Sequence, residues 1–207
     1  MNKIPPDFYL QKNVVDLAKQ LLGKKIVSNI DNKICSGMIV ETEAYKAPED
    51  HASHAYNGRR NAKNETMYAQ GGVVYVYTIY GVYPLLNIVT NVEEIPHAIL
   101  IRAIEPIDGL DIMLQRRGLT QFSPRVVAGP GMLAQALGVK QIHNATSLQS
   151  NTLWLETHQT ISKTKIVATP RIGLGKVSEP YYGMPWRFCV KDNLYLSKKI
   201  DYSSAKS

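Results

Sequence analysis

The sequence predicts an α+β domain built on a mostly antiparallel sheet. Three observations carry this. Residues 73–81 (Val-Val-Tyr-Val-Tyr-Thr-Ile-Tyr-Gly) are β-branched and aromatic almost throughout, and two further apolar runs follow at meander spacing. Apolar residues recur at helical intervals in three other segments. No internal repeat, low-complexity block or clear linker divides the chain. At 207 residues it suits one core, so a single domain over 1–207 is expected.

A helix is predicted over 14–22, with Val14, Leu17, Ala18 and Leu21 on one face, Asn13 as N-cap and Gly23 as stop. A strand at 25–30 leads through Asp31-Asn32-Lys33 into the next, making a hairpin. That next strand opens as a buried run, Gly37 to Val40, and its chemistry then changes abruptly. Strand side chains alternate, so Glu41, Glu43 and Tyr45 should share a face. Two carboxylates and a phenol ending an apolar strand suit a catalytic pocket. The first carboxylate disfavours ionisation of the second, which keeps an acid or base near working pH. An edge strand with a solvated acidic face fits these residues equally well.

Residues 46–66 form a polar loop holding Asp50, His51, His54, Arg59, Arg60, Lys63 and Asn64. Loops this long inside a compact domain are usually functional or disordered, and this one follows the carboxylate strand. In the 73–81 strand Tyr75 and Tyr77 share a face, while Tyr80, beside Gly81, is predicted to project from a turn. Pro84 is expected to limit pairing just beyond. Strands at 85–90 and 98–104, joined by a turn at 91–96, complete the meander. A helix at 108–117 turns Leu110, Met113 and Leu114 inward and stops at Gly118; a shorter one at 131–137 stops at Gly138. Short strands are predicted at 152–156, 165–169, 187–190 and 194–197, with a frayed tail at 200–207.

A net charge of +7 and a pI near 9.3 favour an anionic partner such as nucleic acid, though many soluble enzymes are simply basic. Cys35 and Cys189 supply neither a disulfide framework nor a zinc quartet, so a reducing compartment is expected. No apolar run approaches the roughly 20 residues of a membrane span, and residues 1–6 lack a secretory signal's apolar core. His51 and His54 with Asp50 and Glu43 match no established ligand spacing, and no phosphate loop or Gly-x-Ser-x-Gly is present. No metal or cofactor is expected. Twelve tyrosines accompany only three phenylalanines, more phenol hydroxyls than packing alone would choose. Their faces, with histidine, could stack a planar ligand, and a cationic one most favourably.

Several motifs stand in a telling order: Gly37 to Tyr45 (GMIVETEAY), Pro48-Glu49-Asp50, His54, Val74 to Tyr83 (VYVYTIYGVY), Asn87, Leu100 to Pro106 (LIRAIEP) and Gly129-Pro130. Together they resemble the alkyladenine DNA glycosylase family, the mammalian-type 3-methyladenine DNA glycosylases with bacterial members. The resemblance runs from about Leu17 to about Val190 and is that of a compact bacterial member. It implies a curved sheet carrying a protruding 75–83 hairpin, with helices around it. It implies a monofunctional, monomeric, cytoplasmic base-excision repair enzyme acting on double-stranded DNA with damaged purines. Such an enzyme flips an alkylated or deaminated purine out of the duplex and hydrolyses its N-glycosidic bond, leaving an abasic site. By resemblance, Glu43 is the general base that activates water, and Arg102 helps hold that water and the nucleotide backbone. Tyr45, His54 and Tyr77 sandwich the flipped base. Tyr80 wedges into the minor groove, and Asn87 crowds the guanine 2-amino group. Arg59 and Lys63 lie beside the DNA. Tyr56, Asn57, Pro84, Leu85 and Leu86 depart from the family pattern and bear on lesion range. Three rivals use the same residues: a non-catalytic nucleic-acid-binding β-domain, a metal-dependent nuclease on Glu41, Glu43 and Asp50, and a small-molecule enzyme of related fold.

Overall fold

A computed structural model describes residues 2–200. In chain order it contains α1 (Val14–Leu21), β1 (Lys25–Ile30), β2 (Lys33–Lys46), β3 (Val74–Ile79), β4 (Tyr83–Thr90), β5 (His97–Asp108), α2 (Leu110–Arg117), α3 (Pro130–Leu137), β6 (Leu153–Glu156), β7 (Ile166–Thr169) and β8 (Arg187–Val190). Short 3-10 turns link them. The strands form one eight-stranded sheet in the order β3-β4-β5-β2-β1-β6, with β8 on β2 and β7 on β8. Every pairing between these strands is antiparallel. The α+β reading holds.

β2 organises the sheet. One edge pairs with β5 along most of its length. The other pairs first with β1, through Met38, and then with β8 at Glu41 to Glu43. The change of neighbour coincides with slips in the β2–β5 register at Ile39/Glu41 and Glu41/Thr42. Alternation nevertheless holds across these positions: Glu41 and Glu43 both meet Arg102, and Tyr45 bonds to Glu43, while Thr42 points the other way to α1.

α1 forms as the spacing predicts. The Asn13 side-chain oxygen accepts from Val15 N at 3.1 Å and Asp16 N at 3.3 Å, satisfying two otherwise orphaned donors. Val14, Leu17, Ala18 and Leu21 are fully buried, and Thr42 of β2 donates its hydroxyl to Ala18 O at 2.9 Å. α2 starts two residues later than predicted. Asp108 instead ends β5, opposite Ser36, whose hydroxyl it accepts at 2.6 Å, with Lys25 Nζ at 3.0 Å. Gly109, at φ 72°, then turns the chain into the helix.

β3 and β4 make the expected hairpin. Tyr80 (φ 53°) and Gly81 (φ 69°) occupy its tip, and Val82 N donates to Ile79 O at 3.1 Å. Tyr80 is 90% exposed. Two local expectations fail. Pro84 lies inside β4, opposite Thr78. β5 pairs with β4 only from Asn87 to Thr90, so Pro84 has a strand on one side alone and breaks no second ladder. Residues 194–197 are not a strand, because Ser197 N donates at 2.6 Å to the Glu41 carboxylate rather than to a backbone carbonyl. The predicted frayed tail lies, except for Ile200, outside the described residues.

Candidate active site

A cavity of about 560 Å³ opens at the foot of the hairpin. Its walls come from the end of β2, the 51–59 loop, β3, β4, β5 and residues 172–177. Tyr45, His54, Arg59, Tyr77, Asn87 and Arg102 all line it. Residues 50 positions apart in the chain thus converge because β5 pairs with both β2 and β4.

The aromatic wall is locked from behind. His54 Nδ1 lies 2.9 Å from the Tyr75 hydroxyl, and the His54 and Tyr77 ring centroids are 4.1 Å apart, tilted by 55°. These two rings touch, leaving no room for a planar group between them. They form one wall, which leaves Tyr45 as the other face of the slot. Burial, and then the positive charge of Arg59, hold the His54 pKa below 6.5, so it is a neutral ring at pH 7. Burial, and then the nearby Glu43 charge, push the Tyr45 phenol well above its usual range. Asn87 donates its amide nitrogen to Tyr75 O at 3.1 Å and Leu85 O at 3.3 Å. Both partners are acceptors, so the amide orientation is forced and its oxygen is left as an acceptor at the cavity wall.

Glu43 lies one layer below this wall. The expectation that it opens directly on the pocket is corrected: its side chain is 0% exposed. Its Oε2 accepts from the Tyr45 hydroxyl at 3.0 Å and from Arg102 Nη1 at 3.3 Å, and its Oε1 accepts from Ile172 N at 2.7 Å. All three partners line the cavity. The solvated-face alternative is excluded, since Glu41 is also 0% exposed.

Glu41 does not line the cavity. Its Oε1 takes Arg102 Nε at 3.0 Å, Arg187 Nε at 2.7 Å and the Ser197 hydroxyl at 2.7 Å, while Oε2 takes Ser197 N. Arg102 therefore stands between the two acids, bridging them. The sequence reading placed the carboxylates side by side on one strand face, each acting directly on the other; the structure interposes a guanidinium. Burial alone would lower the Arg102 pKa, but Glu43 and Glu41 outweigh it and raise it further.

Asp50 is likewise occupied. Arg171 Nη2 donates to Asp50 Oδ1 at 2.8 Å, and Arg171 Nη1 to Ala44 O at 2.9 Å. The same guanidinium lies over the Tyr45 ring at 4.8 Å and the Trp186 ring at 5.1 Å. It is a cation packed behind the slot, where it also fixes the chain entering Ile172. Of the basic loop residues, Arg60 is spent on Glu65 and Glu94. Arg59 and Lys63 are exposed, and only Arg59 reaches the cavity. Tyr80 stands clear of it at the hairpin tip. Arg171, Ile172, Lys176, Arg187 and Ser197 were not anticipated. A charged residue opening a short apolar strand, as Arg187 does, was the one available signal.

The pieces define an aromatic-lined cavity beside a buried carboxylate–arginine pair, with an exposed aromatic side chain at the tip of the neighbouring hairpin on a basic protein. Residues 7–194 match the family model of methylpurine-DNA glycosylase. Relatives provisionally named 3-methyladenine DNA glycosylase include one from Chlamydia felis, 46% identical over 95% of this chain and 100% of its own. Another, from Bacillus cereus strain G9842, is 41% identical over 94% of this chain and 98% of its own. The chain belongs to the methylpurine-DNA glycosylase family, a DNA glycosylase of DNA repair.

Proposed function

We propose that this enzyme flips an alkylated or deaminated purine out of duplex DNA and hydrolyses its N-glycosidic bond with a water activated by Glu43. It releases the free base and leaves an abasic strand intact. The observation that carries the reading is the bonding of Glu43 to both Tyr45 and Arg102 directly beneath the aromatic cavity.

In this reading the purine enters between Tyr45 on one side and the His54–Tyr77 wall on the other. Its C1′ then lies above Arg102 and Glu43. The C1′–N bond breaks as positive charge develops on the sugar, which the carboxylate stabilises. Glu43 takes a proton from the attacking water, whose oxygen bonds to C1′ as the base departs with the bonding electrons. Because Glu43 is covered in the free protein, water reaches it past Arg102 and Ile172 once the nucleotide is seated. The Asn87 side chain disfavours a guanine 2-amino group by crowding. Arg59 and Lys63 meet phosphates, and Tyr80 fills the vacated stack; the +7 charge supports salt-sensitive, sequence-independent searching as a monomer.

The test is incubation with duplexes each carrying one defined lesion, with chelator present. Free base and alkali-labile, otherwise uncut strands are expected. Chelator-sensitive nicking would favour the nuclease, although Glu41 and Asp50 are already paired to arginines. Lesion binding without base release would favour a binding domain.

Two further results are expected. Tyr80→Ala should lower the flipped fraction, because flipping costs a few kcal/mol that the inserted ring helps offset. A base analogue whose fluorescence rises on unstacking reads this directly, and unchanged fluorescence would contradict it. His54 should set a pH dependence. Its pKa is depressed below 6.5, so it is neutral above that and gains charge only as pH falls through the lowered value. A protonated ring repels a cationic base, so affinity for an N-alkylated lesion should fall on acidification. Titrating binding between about pH 5 and 8 checks this, with His54→Gln expected to flatten the curve.

A further inference from the structure

The C-terminal strap that follows the family-matched region is bound into the charge network under the cavity. The family match ends at residue 194. Immediately after it, Tyr195 N donates to Asn193 Oδ1 at 2.9 Å, and Asn193 Nδ2 to Glu105 Oε2 at 2.9 Å, anchoring the strap on β5. The Tyr195 ring lies 6.2 Å from that of Phe122. The chain then bends over the buried charges. Ser197 donates both N–H (2.6 Å) and hydroxyl (2.7 Å) to Glu41, and its hydroxyl oxygen receives Arg102 Nε at 3.4 Å and Nη2 at 3.3 Å. Lys198 O receives Arg187 Nη2 at 2.8 Å.

The Arg102 guanidinium is therefore held on three sides. Glu41 takes Nε, Ser197 takes Nη2, and only Nη1 reaches Glu43. The contact to Glu43 is long at 3.3 Å, whereas those fixing Glu41 are 2.6 to 3.0 Å. Arg102's own contacts to Ser197, at 3.3 and 3.4 Å, match the one to Glu43, and its shortest is to Glu41, which Ser197 holds by two donations.

We infer that Ser197 is a positioning residue of the active site: the strap aims Arg102, through Glu41, at the sugar and the water above Glu43. It acts through Arg102 and touches no reacting atom. The inference rests on the glycosylase reading, and it adds a segment to the site that lies past the matched region.

The test compares wild type, Ser197→Ala and Ser197→Thr on one lesion duplex under single-turnover conditions. Active protein is counted by titration with a tight-binding abasic-site analogue, so partial unfolding does not pass for a slow step. Ser197→Ala should slow base release about tenfold, since small misplacement of a catalytic group is costly. Lesion-duplex affinity should stay at the wild-type value, and Ser197→Thr should restore the rate. Nitrogen NMR of the Arg102 Nε gives a readout independent of turnover: its N–H should be protected from exchange in wild type and Ser197→Thr, and exchange faster in Ser197→Ala. An unchanged Ser197→Ala rate overturns the inference, as does a rate loss that Ser197→Thr fails to restore. A wild-type protein that releases no base from any lesion sinks the glycosylase reading instead, and the catalytic inference with it.

Discussion

Glu43→Gln should abolish base release while leaving a protein that still folds and still binds lesion duplex. General-base assistance is worth about 10² to 10⁴ in rate, and loss of the carboxylate charge beside an oxocarbenium-like sugar adds to that. A fall of at least about 10³ is expected in a single-turnover assay. The fold survives because glutamine keeps the shape and can still accept the Tyr45 or Ile172 proton with its one remaining oxygen. Arg102 keeps Glu41 as counter-ion but then shares it with Arg187, so some stability is lost without unfolding the chain. The effect should grade with the leaving group. A base that already carries positive charge departs with less help, so neutral lesions should lose most. Residual activity equal to wild type on every lesion would assign catalysis to another residue.

The largest effect on stability is expected at Arg171. Arg171 and Asp50 are a side-chain pair of 0% exposure, and the guanidinium also binds Ala44 O and two aromatic faces. Its Nε has no hydrogen-bond partner, and the Tyr45 and Trp186 rings supply the weaker contacts that surround it. Arg171→Met leaves the Asp50 carboxylate buried without a cation, which costs about 3–5 kcal/mol. Urea unfolding should show this as an earlier midpoint with an unchanged slope. Tyr45 loses the cation packed behind it and Ile172 loses its anchor, so base release should fall as well. Arg171→Lys should recover only part, because an ammonium cannot reproduce the forked donation to Asp50 and Ala44. Stability within a few tenths of wild type would show that the pair contributes little.

Most of the fold was legible because its elements are locally consistent. Asn13 caps the helix it was expected to cap, Tyr80 sits on the turn that Gly81 signals, and the 73–104 meander pairs as its spacing implied. The misses share a physical cause: each depends on a partner distant in sequence. Asp108 leaves its helix for Ser36 and Lys25. Residues 194–197 abandon a strand for Glu41, and Pro84 is tolerated because β5 has already turned away. The same holds for the site. Tyr45, His54, Tyr77, Asn87 and Arg102 were recognisable from their motifs, and the cavity gathers them. Arg187 and the bridging place of Arg102 were not, because a run such as Gly37 to Tyr45 shows which residues carry charge but neither whether they are buried nor what neutralises them. Period-two alternation placed Glu41 and Glu43 on one face as found, but could not show that a guanidinium from β5 stands between them.

The account stands or falls on what Glu43 faces when a lesion is bound. The most direct measurement is a crystal structure of Glu43→Gln with a duplex carrying an alkylated purine. The prediction is a purine seated between Tyr45 and the His54–Tyr77 wall, with Tyr80 in the vacated stack and the C1′ one water away from position 43. A purine still stacked in the duplex, or a sugar cut off from position 43 by Tyr45 or Ile172, would contradict it.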